Sequence, residues 1–262
     1  MQDVLQRERI GAVERLWLNR PERENMLDDP LHHALAEAFR ELAHDDALGA
    51  VILTGRGDTF CRSADGDDIG ERYFGDPASY RGFLHAVRDL HRLIEAVPRP
   101  VIAAVNGVAS MGGIELALAC DFIVASETAE LGDAHPGGVG GGGASQTLRE
   151  AVGDRMTRWL LYTGELLPAR RALEVGLVQQ VLPADGFQDA VLGLARRIVA
   201  RRLADSLARV KALTVPKQPS QADLELEIGH SVDHYFDPRT QEGLSEALAR
   251  DAASRSPGSR SM

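Results

Sequence analysis

The chain has 262 residues, of which 44% are hydrophobic, and a formal net charge of −10. Its length allows one catalytic domain with a sizeable core and a smaller helical appendage. The acidic balance argues against nucleic acid as a partner, no apolar run reaches transmembrane length, and two isolated cysteines without a secretory signal indicate free thiols in a cytoplasmic protein.

Short apolar segments alternate with segments of helical spacing along the first half of the chain. Strands are predicted at 13–18, 50–54, 101–105 and 122–125, and helices at 30–43, 79–97 and 113–120. Strand–helix alternation requires crossover connections and a largely parallel sheet. The predicted fold class is therefore α/β.

The second half of the chain is predicted to be mainly helical. A helix, a turn and a strand are expected within 155–182, with Pro168 at a helix start and Gly176 at its end. The remaining predictions are helices at 186–213, 221–236 and 239–252, followed by a disordered polar tail.

Two of the apolar strands end in glycine-containing turns. Residues 49–70, GAVILTGRGDTFCRSADGDDIG, run from a strand into Ala64-Asp65-Gly66, and residues 98–121, PRPVIAAVNGVASMGGIELALACD, run through Gly112-Gly113 into a helix. Backbone N–H groups at a helix start have no internal partner. Two such turns can offer two donors to one carbonyl oxygen that is acquiring negative charge.

Glu115 lies one turn inside the second of these helices, on an otherwise apolar stripe. A carboxylate there costs several kcal/mol unless it is paired or used, which makes Glu115 a candidate general acid or base with a raised pKa. The alternative is structural: Glu115 caps the helix, and the two glycines merely allow close packing of the strand and the helix.

Two further motifs extend the pattern, LNRPERENML at 18–27 and LLYTGELLPARRALEVGLVQQVLP at 160–183. In this order the four motifs resemble the crotonase (enoyl-CoA hydratase/isomerase) superfamily over about residues 1–215. The resemblance implies a right-handed coil of ββα units with a C-terminal helical trimerisation region. It divides the chain into a core at 1–195, helices at 196–253 and a tail at 254–262.

The resemblance also implies the substrate and the roles of site residues. The substrate is an acyl-CoA thioester, with no other cofactor and no metal, and the assembly is a homotrimer or a dimer of trimers. The alternative for the terminal helices is an intrachain lid. The implied oxyanion donors are the amides of Ala64 and Gly112, and the implied substrate-binding residues are Arg23, Arg62, Asp65, Gly66 and Gly113. The resemblance places Arg23, Arg62 and Lys211 near the coenzyme A phosphates and adenine; alternatively each of the three is a solvated surface charge.

His135 stands where the resemblance leads us to expect the second glutamate of the hydratases, twenty residues after Glu115. Histidine transfers protons near neutral pH, so Glu115 and His135 form a workable acid–base pair; alternatively His135 is merely exposed. Branches that cleave β-diketones also have histidine here with an acid a few residues later, which the following stretch GGVGGGGAS lacks. This glycine run predicts a loose wall beside the acyl pocket.

The predicted function is hydration of a 2-enoyl-CoA through an enolate held in an oxyanion hole. Three alternatives stay open: an enoyl-CoA isomerase, a hydrolase of thioesters or β-diketones, and a catalytically silent acyl-CoA-binding subunit.

Overall fold

The computed structural model describes residues 3–73, 75–135, 140–201, 203–214 and 221–242. These residues form ten strands and nine α-helices. The strands are β1 (Leu5–Ile10), β2 (Val13–Leu18), β3 (Ala50–Gly55), β4 (Thr59–Cys61), β5 (Val101–Val105), β6 (Val108–Ser110), β7 (Phe122–Ser126), β8 (Glu130–Gly132), β9 (Leu167–Pro168) and β10 (Gln180–Leu182). The helices are α1 (Asp29–Leu42), α2 (Gly66–Tyr73), α3 (Pro77–Ala96), α4 (Gly112–Leu118), α5 (Ala144–Thr163), α6 (Ala169–Glu174), α7 (Phe187–Arg201), α8 (Ala204–Thr214) and α9 (Gln221–Tyr235).

The larger sheet has the strand order β1-β2-β3-β5-β7-β10 and is parallel except for the β1–β2 hairpin. Its central strands are buried on both faces, as parallel strands usually are. In β3, Val51 and Leu53 belong to the main core, whereas Ala50 and Ile52 pack in a second cluster with α7. Side chains alternate between the two faces of a strand, so one continuous apolar run serves both cores.

The smaller sheet has the order β4-β6-β8-β9, in which β4, β6 and β8 are parallel. Each of these three strands follows one strand of the larger sheet along the chain and leads into a helix. This repeat of two strands and a helix confirms the predicted ββα architecture. The carboxyl ends of parallel strands share one edge of a sheet, so the segments after β4, β6 and β8 lie side by side.

Several helix boundaries differ from the predictions. The single helix predicted at 186–213 is two helices, α7 and α8, because its apolar spacing continues across the break and does not reveal it. Helix α5 begins at Ala144, well before the predicted helix–turn–strand region, and is kinked at Gly153, where φ is +75°. The predicted start at Pro168 and end at Gly176 are confirmed for α6.

Helix α9 packs against α3 of the same chain. Tyr80 and Leu84 of α3 form a small apolar cluster with Ile228 and Val232 of α9. This contact lies within one chain, as the alternative of an intrachain lid expects. The homotrimer stays a prediction. None of the described helices combines the length and the apolar composition needed to cross a bilayer.

The predicted division into 1–195, 196–253 and 254–262 also stays a prediction, and its first boundary falls inside α7. Most of the helix predicted at 239–252, and all of the predicted disordered tail, lie outside the described residues.

Candidate active site

A cavity of about 850 Å³ opens at the edge where β4, β6 and β8 end. Ala64 follows β4, Gly112 follows β6 and His135 follows β8, and all three line this cavity together with Glu115 of α4. The structure therefore brings together the four residues that the sequence singled out for carbonyl binding and proton transfer.

The backbone segments that carry the N–H groups of Ala64 and Gly112 lie side by side. Leu27 and Ala64 form a parallel bridge in which Leu27 N–H donates to Ser63 O at 2.9 Å and Asp65 N–H donates to Leu27 O at 2.7 Å, so the bridge leaves the Ala64 N–H unused. Gly112 is the first residue of α4, where the N–H has no helical partner. A Cβ added to Gly112 would lie only 3.2 Å from the Ala64 nitrogen. The two bends thus meet at one spot in the cavity wall.

The turn into α4 is tight on both sides of Gly112. Met111 has φ 48° and ψ −123°, a strained backbone conformation for a non-glycine residue. Gly113 lies against β4, and a Cβ there would stand 1.8 Å from the carbonyl oxygen of Cys61. Gly113 allows the helix to approach the strand; it is not among the residues that line the cavity, and its role in substrate binding stays a prediction.

Glu115 is buried, with 5% of its surface exposed, and its Oε1 accepts a hydrogen bond from Gly142 N–H at 3.1 Å. Burial raises the pKa of Glu115 to about 7, although the positive charge of His135 opposes the rise. The predicted direction of the shift is therefore confirmed. Near neutral pH the carboxyl group is present in both protonation states, which suits a group that accepts and returns a proton.

The described part of the glycine run is a packed wall. Gly140 to Gly143 are buried, and a Cβ on Gly142 would lie 2.3 Å from Glu115 Oε2. A Cβ on Gly140 would lie 2.9 Å from the His135 ring and 3.1 Å from Glu115 Oε1. The prediction of a loose wall is wrong for residues 140–143, because these glycines make room for the two side chains; residues 136–139 lie outside the described part.

Asp133 is a site residue that the sequence analysis missed. It is fully buried, and its Oδ1 accepts hydrogen bonds from the His135 backbone N–H at 3.1 Å and from His135 Nδ1. Burial alone lowers the pKa of His135, but the charge and hydrogen bond of Asp133 outweigh it and raise the pKa to about 9. His135 is thus an imidazolium at neutral pH. Its Nδ1 is bound to Asp133, and its Nε2–H is the group that can donate a proton. The acid precedes the histidine in sequence, and its signal in the sequence is a carboxylate directly after a strand.

Asp133→Asn is expected to lower the pKa of His135, since burial is then opposed only by the weaker effects of the Glu115 and Glu227 charges. The raised pKa of the folded wild type stabilises it fully below pH 6.5, and this contribution is lost as the pH rises through about 9. The variant should lose stability mainly at and below neutral pH. NMR titration of the His135 ring and Tm at several pH values measure both effects.

The matched control is Asp154→Asn, which alters an exposed carboxylate of α5. If Asp133→Asn leaves the titration of His135 where it is in the control, the pairing of Asp133 with His135 is refuted.

The predicted coenzyme A residues lie at the mouth of the same cavity, but each charged one has a partner. Asp65 is buried and binds the guanidinium groups of Arg20 and Arg23, at 3.0 and 2.6 Å. Arg62 pairs with Glu24 at 2.7 Å. Asp65 therefore anchors two arginines, and Gly66 lines the mouth at the start of α2.

Lys211 is placed elsewhere, which corrects its expected position near the phosphates. Its Nζ lies 3.0 Å from Asp121 Oδ2, beside a separate cavity of about 560 Å³ that Cys120 also lines. Both cysteines, Cys61 and Cys120, are buried free thiols, as predicted.

Comparisons with known proteins agree with this geometry. The family model described as enoyl-CoA hydratase/isomerase matches residues 8–247. The chain is 36% identical to the crotonyl-CoA hydratase of Syntrophomonas wolfei over 80% of each chain, and 33% identical to the mitochondrial enoyl-CoA hydratase of Pongo abelii over 73% of this chain and 64% of the relative. The crystal structure of an enoyl-CoA hydratase/isomerase from Xanthobacter autotrophicus Py2 superimposes with a TM-score of 0.85 at 29% identity, covering 95% of this chain and 93% of that one.

The chain therefore belongs to the enoyl-CoA hydratase/isomerase family of the crotonase superfamily.

Proposed function

We propose that this protein hydrates 2-enoyl-CoA thioesters with Glu115 and His135 as its proton-transfer pair. The observation that carries the proposal is their shared position: both side chains lie within about 3 Å of one point beside Gly140, in the cavity that the Ala64 and Gly112 amides also line. A carbonyl held by two main-chain donors next to an acid and a base is the arrangement that enolate chemistry needs.

The proposed roles follow from the charges. The Glu115 carboxylate takes a proton from water as the hydroxyl oxygen bonds to the β-carbon, and the Ala64 and Gly112 N–H groups stabilise the negative charge that moves onto the thioester oxygen. The His135 imidazolium, held by Asp133, then donates its Nε2 proton to the α-carbon as the enolate collapses. The proton on Glu115 returns to His135, which restores both groups.

Binding of coenzyme A is proposed at the cavity mouth. Arg23 and Arg62, each about 40% exposed, are the cations positioned there for the phosphates. Both already contact carboxylates, so phosphates would share or displace the partners Asp67 and Glu24. The homotrimer and the absence of a further cofactor belong to the same proposal.

The deciding experiment incubates the purified protein with crotonyl-CoA and follows the conjugated enoyl absorbance. We expect the absorbance to fall as 3-hydroxybutyryl-CoA forms, without release of free thiol. A 3-enoyl-CoA that gains conjugated absorbance while crotonyl-CoA is left untouched would replace hydration with isomerisation. His135→Ala sharpens the distinction, because isomerisation needs one base and would survive the change, whereas hydration would not.

A second candidate is hydrolysis of a thioester or a β-diketone. The observation in its favour is the Asp133–His135 hydrogen bond, because a histidine oriented by a buried carboxylate is suited to activating water toward a carbonyl carbon. Asp133, which precedes His135, supplies the acid that the stretch after His135 lacks. Release of free coenzyme A from acyl-CoA or acetoacetyl-CoA, detected with a thiol reagent, would identify it. Thermal stabilisation by all these thioesters without any turnover would instead indicate a binding subunit.

A further inference from the structure

Glu227 is a buried carboxylate outside the set of residues that touch the cavity. It lies on the core-facing side of α9 with Leu224 and Ile228, and only 8% of its surface is exposed. A charge in that position is costly unless it is paired. Both of its oxygens are occupied: Oε1 accepts the Gly143 N–H at 2.8 Å, and Oε2 accepts the Ser145 hydroxyl.

These two contacts hold the N-terminus of α5. Gly143 is the N-cap residue, with φ +101°, and having no side chain it cannot supply the usual capping acceptor. Glu227, from another helix, instead accepts the N–H of the N-cap residue itself and the hydroxyl of Ser145 in the first turn, and its negative charge favours a helix N-terminus. The carboxylate therefore connects α9 to the end of the glycine run.

The same peptide group connects Glu227 to the site. The Gly142 carbonyl, which shares a rigid peptide plane with the Gly143 N–H, accepts a hydrogen bond from His91 Nδ1 at 3.1 Å. His91 and Glu227 thus hold this plane from its two ends. The Gly142 N–H, which belongs to the preceding peptide group, donates to Glu115 Oε1 at 3.1 Å.

We propose that Glu227 is a positioning residue. Its hydrogen bonds to Gly143 and Ser145 fix the Gly142 amide against Glu115 and so couple the proton-transfer site to helix α9. The inference rests on the proposed function in one respect, that Glu115 is the group that transfers protons. It assigns α9 a role besides packing against α3.

The charge of Glu227 should affect the pKa of Glu115, which a role in packing alone would not do. The charged and titratable groups that face Glu227 are Arg88 of α3, Glu115 of α4, and Asp133 and His135 after β8, while His91 of α3 contacts the Gly142 carbonyl. Burial is the main cause of the raised pKa of Glu115, and the negative charges of Asp133 and Glu227 add to it. Removing the charge of Glu227 should therefore lower the pKa of Glu115.

The experiment compares Glu227→Ala, Glu227→Gln and Ser145→Ala with the control Asp233→Ala, which removes an exposed carboxylate from the same helix. Measured quantities are kcat and KM for crotonyl-CoA, the pH profile of kcat, and Tm. We expect Glu227→Ala to lower kcat about tenfold, through misplacement of Glu115, with KM within twofold of the wild type. Glu227→Gln should recover most of kcat, since its amide oxygen can still accept the Gly143 N–H.

Glu227→Gln should move the acidic limb of the kcat profile to lower pH, because it removes the charge and keeps the contact with Gly143, whereas Ser145→Ala and Asp233→Ala should leave the limb in place. A folded Glu227→Ala protein with kcat within twofold of the wild type would overturn the proposal. So would an unmoved acidic limb in Glu227→Gln, which keeps the size of the side chain if the alanine variant fails to fold.

A measurement without substrate separates this proposal from the proposed function. In protein labelled with ¹⁵N-glycine, Glu227→Gln and Ser145→Ala should both shift the amide signals of Gly142 and Gly143, and Asp233→Ala should not. If the wild type turns over none of the thioesters but these shifts appear, the reaction is misassigned and the positioning role stands. If turnover is normal and the Gly142 signal does not move, the positioning role fails alone.

Discussion

Glu115→Gln should lower the turnover of crotonyl-CoA about 10³-fold, which is within the range that a positioned acid or base contributes. The amide of glutamine preserves the size of the side chain, and its oxygen can still accept the Gly142 N–H, but it cannot take a proton from water. Binding should persist, because the Ala64 and Gly112 amides are main-chain groups that the substitution leaves in place. The measurements are kcat by enoyl absorbance and the Kd of saturated butyryl-CoA, which cannot react.

The control for this variant is Glu37→Gln, at an exposed carboxylate of α1, for which we expect wild-type turnover. Activity of Glu115→Gln within a factor of ten of the wild type would remove Glu115 from the mechanism. A loss of butyryl-CoA binding equal to the loss of turnover would instead show that Glu115 maintains the shape of the cavity.

Gly113→Ala should destabilise the fold by about 3 kcal/mol and lower Tm by roughly 10 °C. The added Cβ would stand 1.8 Å from the Cys61 carbonyl oxygen, and a backbone atom of a buried strand cannot rotate away as a flexible side chain can. The helix must shift as a body, which also displaces the Gly112 amide, so activity should fall with stability. Denaturant unfolding and thermal unfolding measure the first effect, and kcat measures the second.

Gly82→Ala is the matched control, because Gly82 is exposed within α3 and a Cβ there meets no atom within 4 Å. In a helix interior this change should stabilise the protein by about 0.5–1 kcal/mol. Equal Tm values for the two alanine variants would contradict the close approach of α4 to β4.

Four strands of the larger sheet, β2, β3, β5 and β7, were predicted from local apolar patterns, whereas the polar strand β1 was not predicted. The strands β4, β6 and β8 were not predicted, since each has three residues and owes its existence to pairing with neighbours distant in sequence. Helix α2 was also missed, because its acidic start, Asp67 and Asp68, is typical of loops as well as of helix N-termini.

The residues of the site also differ in whether a local sequence pattern predicts them. Ala64, Gly112, Glu115 and His135 could be singled out from local motifs and the family resemblance, and they line one cavity. Contacts that span the chain were not accessible: Glu227 meets Gly143 across 84 residues. The glycine run was misinterpreted for a related reason, because the same lack of side chains permits either mobility or close packing, and only the neighbouring Glu115 and Leu84 decide between them.

The ends of the three parallel strands of the smaller sheet contribute two kinds of group: main-chain amides after β4 and β6, and a side chain after β8. A main-chain amide needs no particular side chain, so the proposed carbonyl-binding half depends on backbone geometry, such as the close approach at Gly113, and not on side-chain chemistry. The segment after β8 contributes a side chain, His135, so a single substitution there changes which proton donor faces the cavity. Diversity of reaction can therefore accumulate at one strand terminus while recognition of the thioester is inherited unchanged.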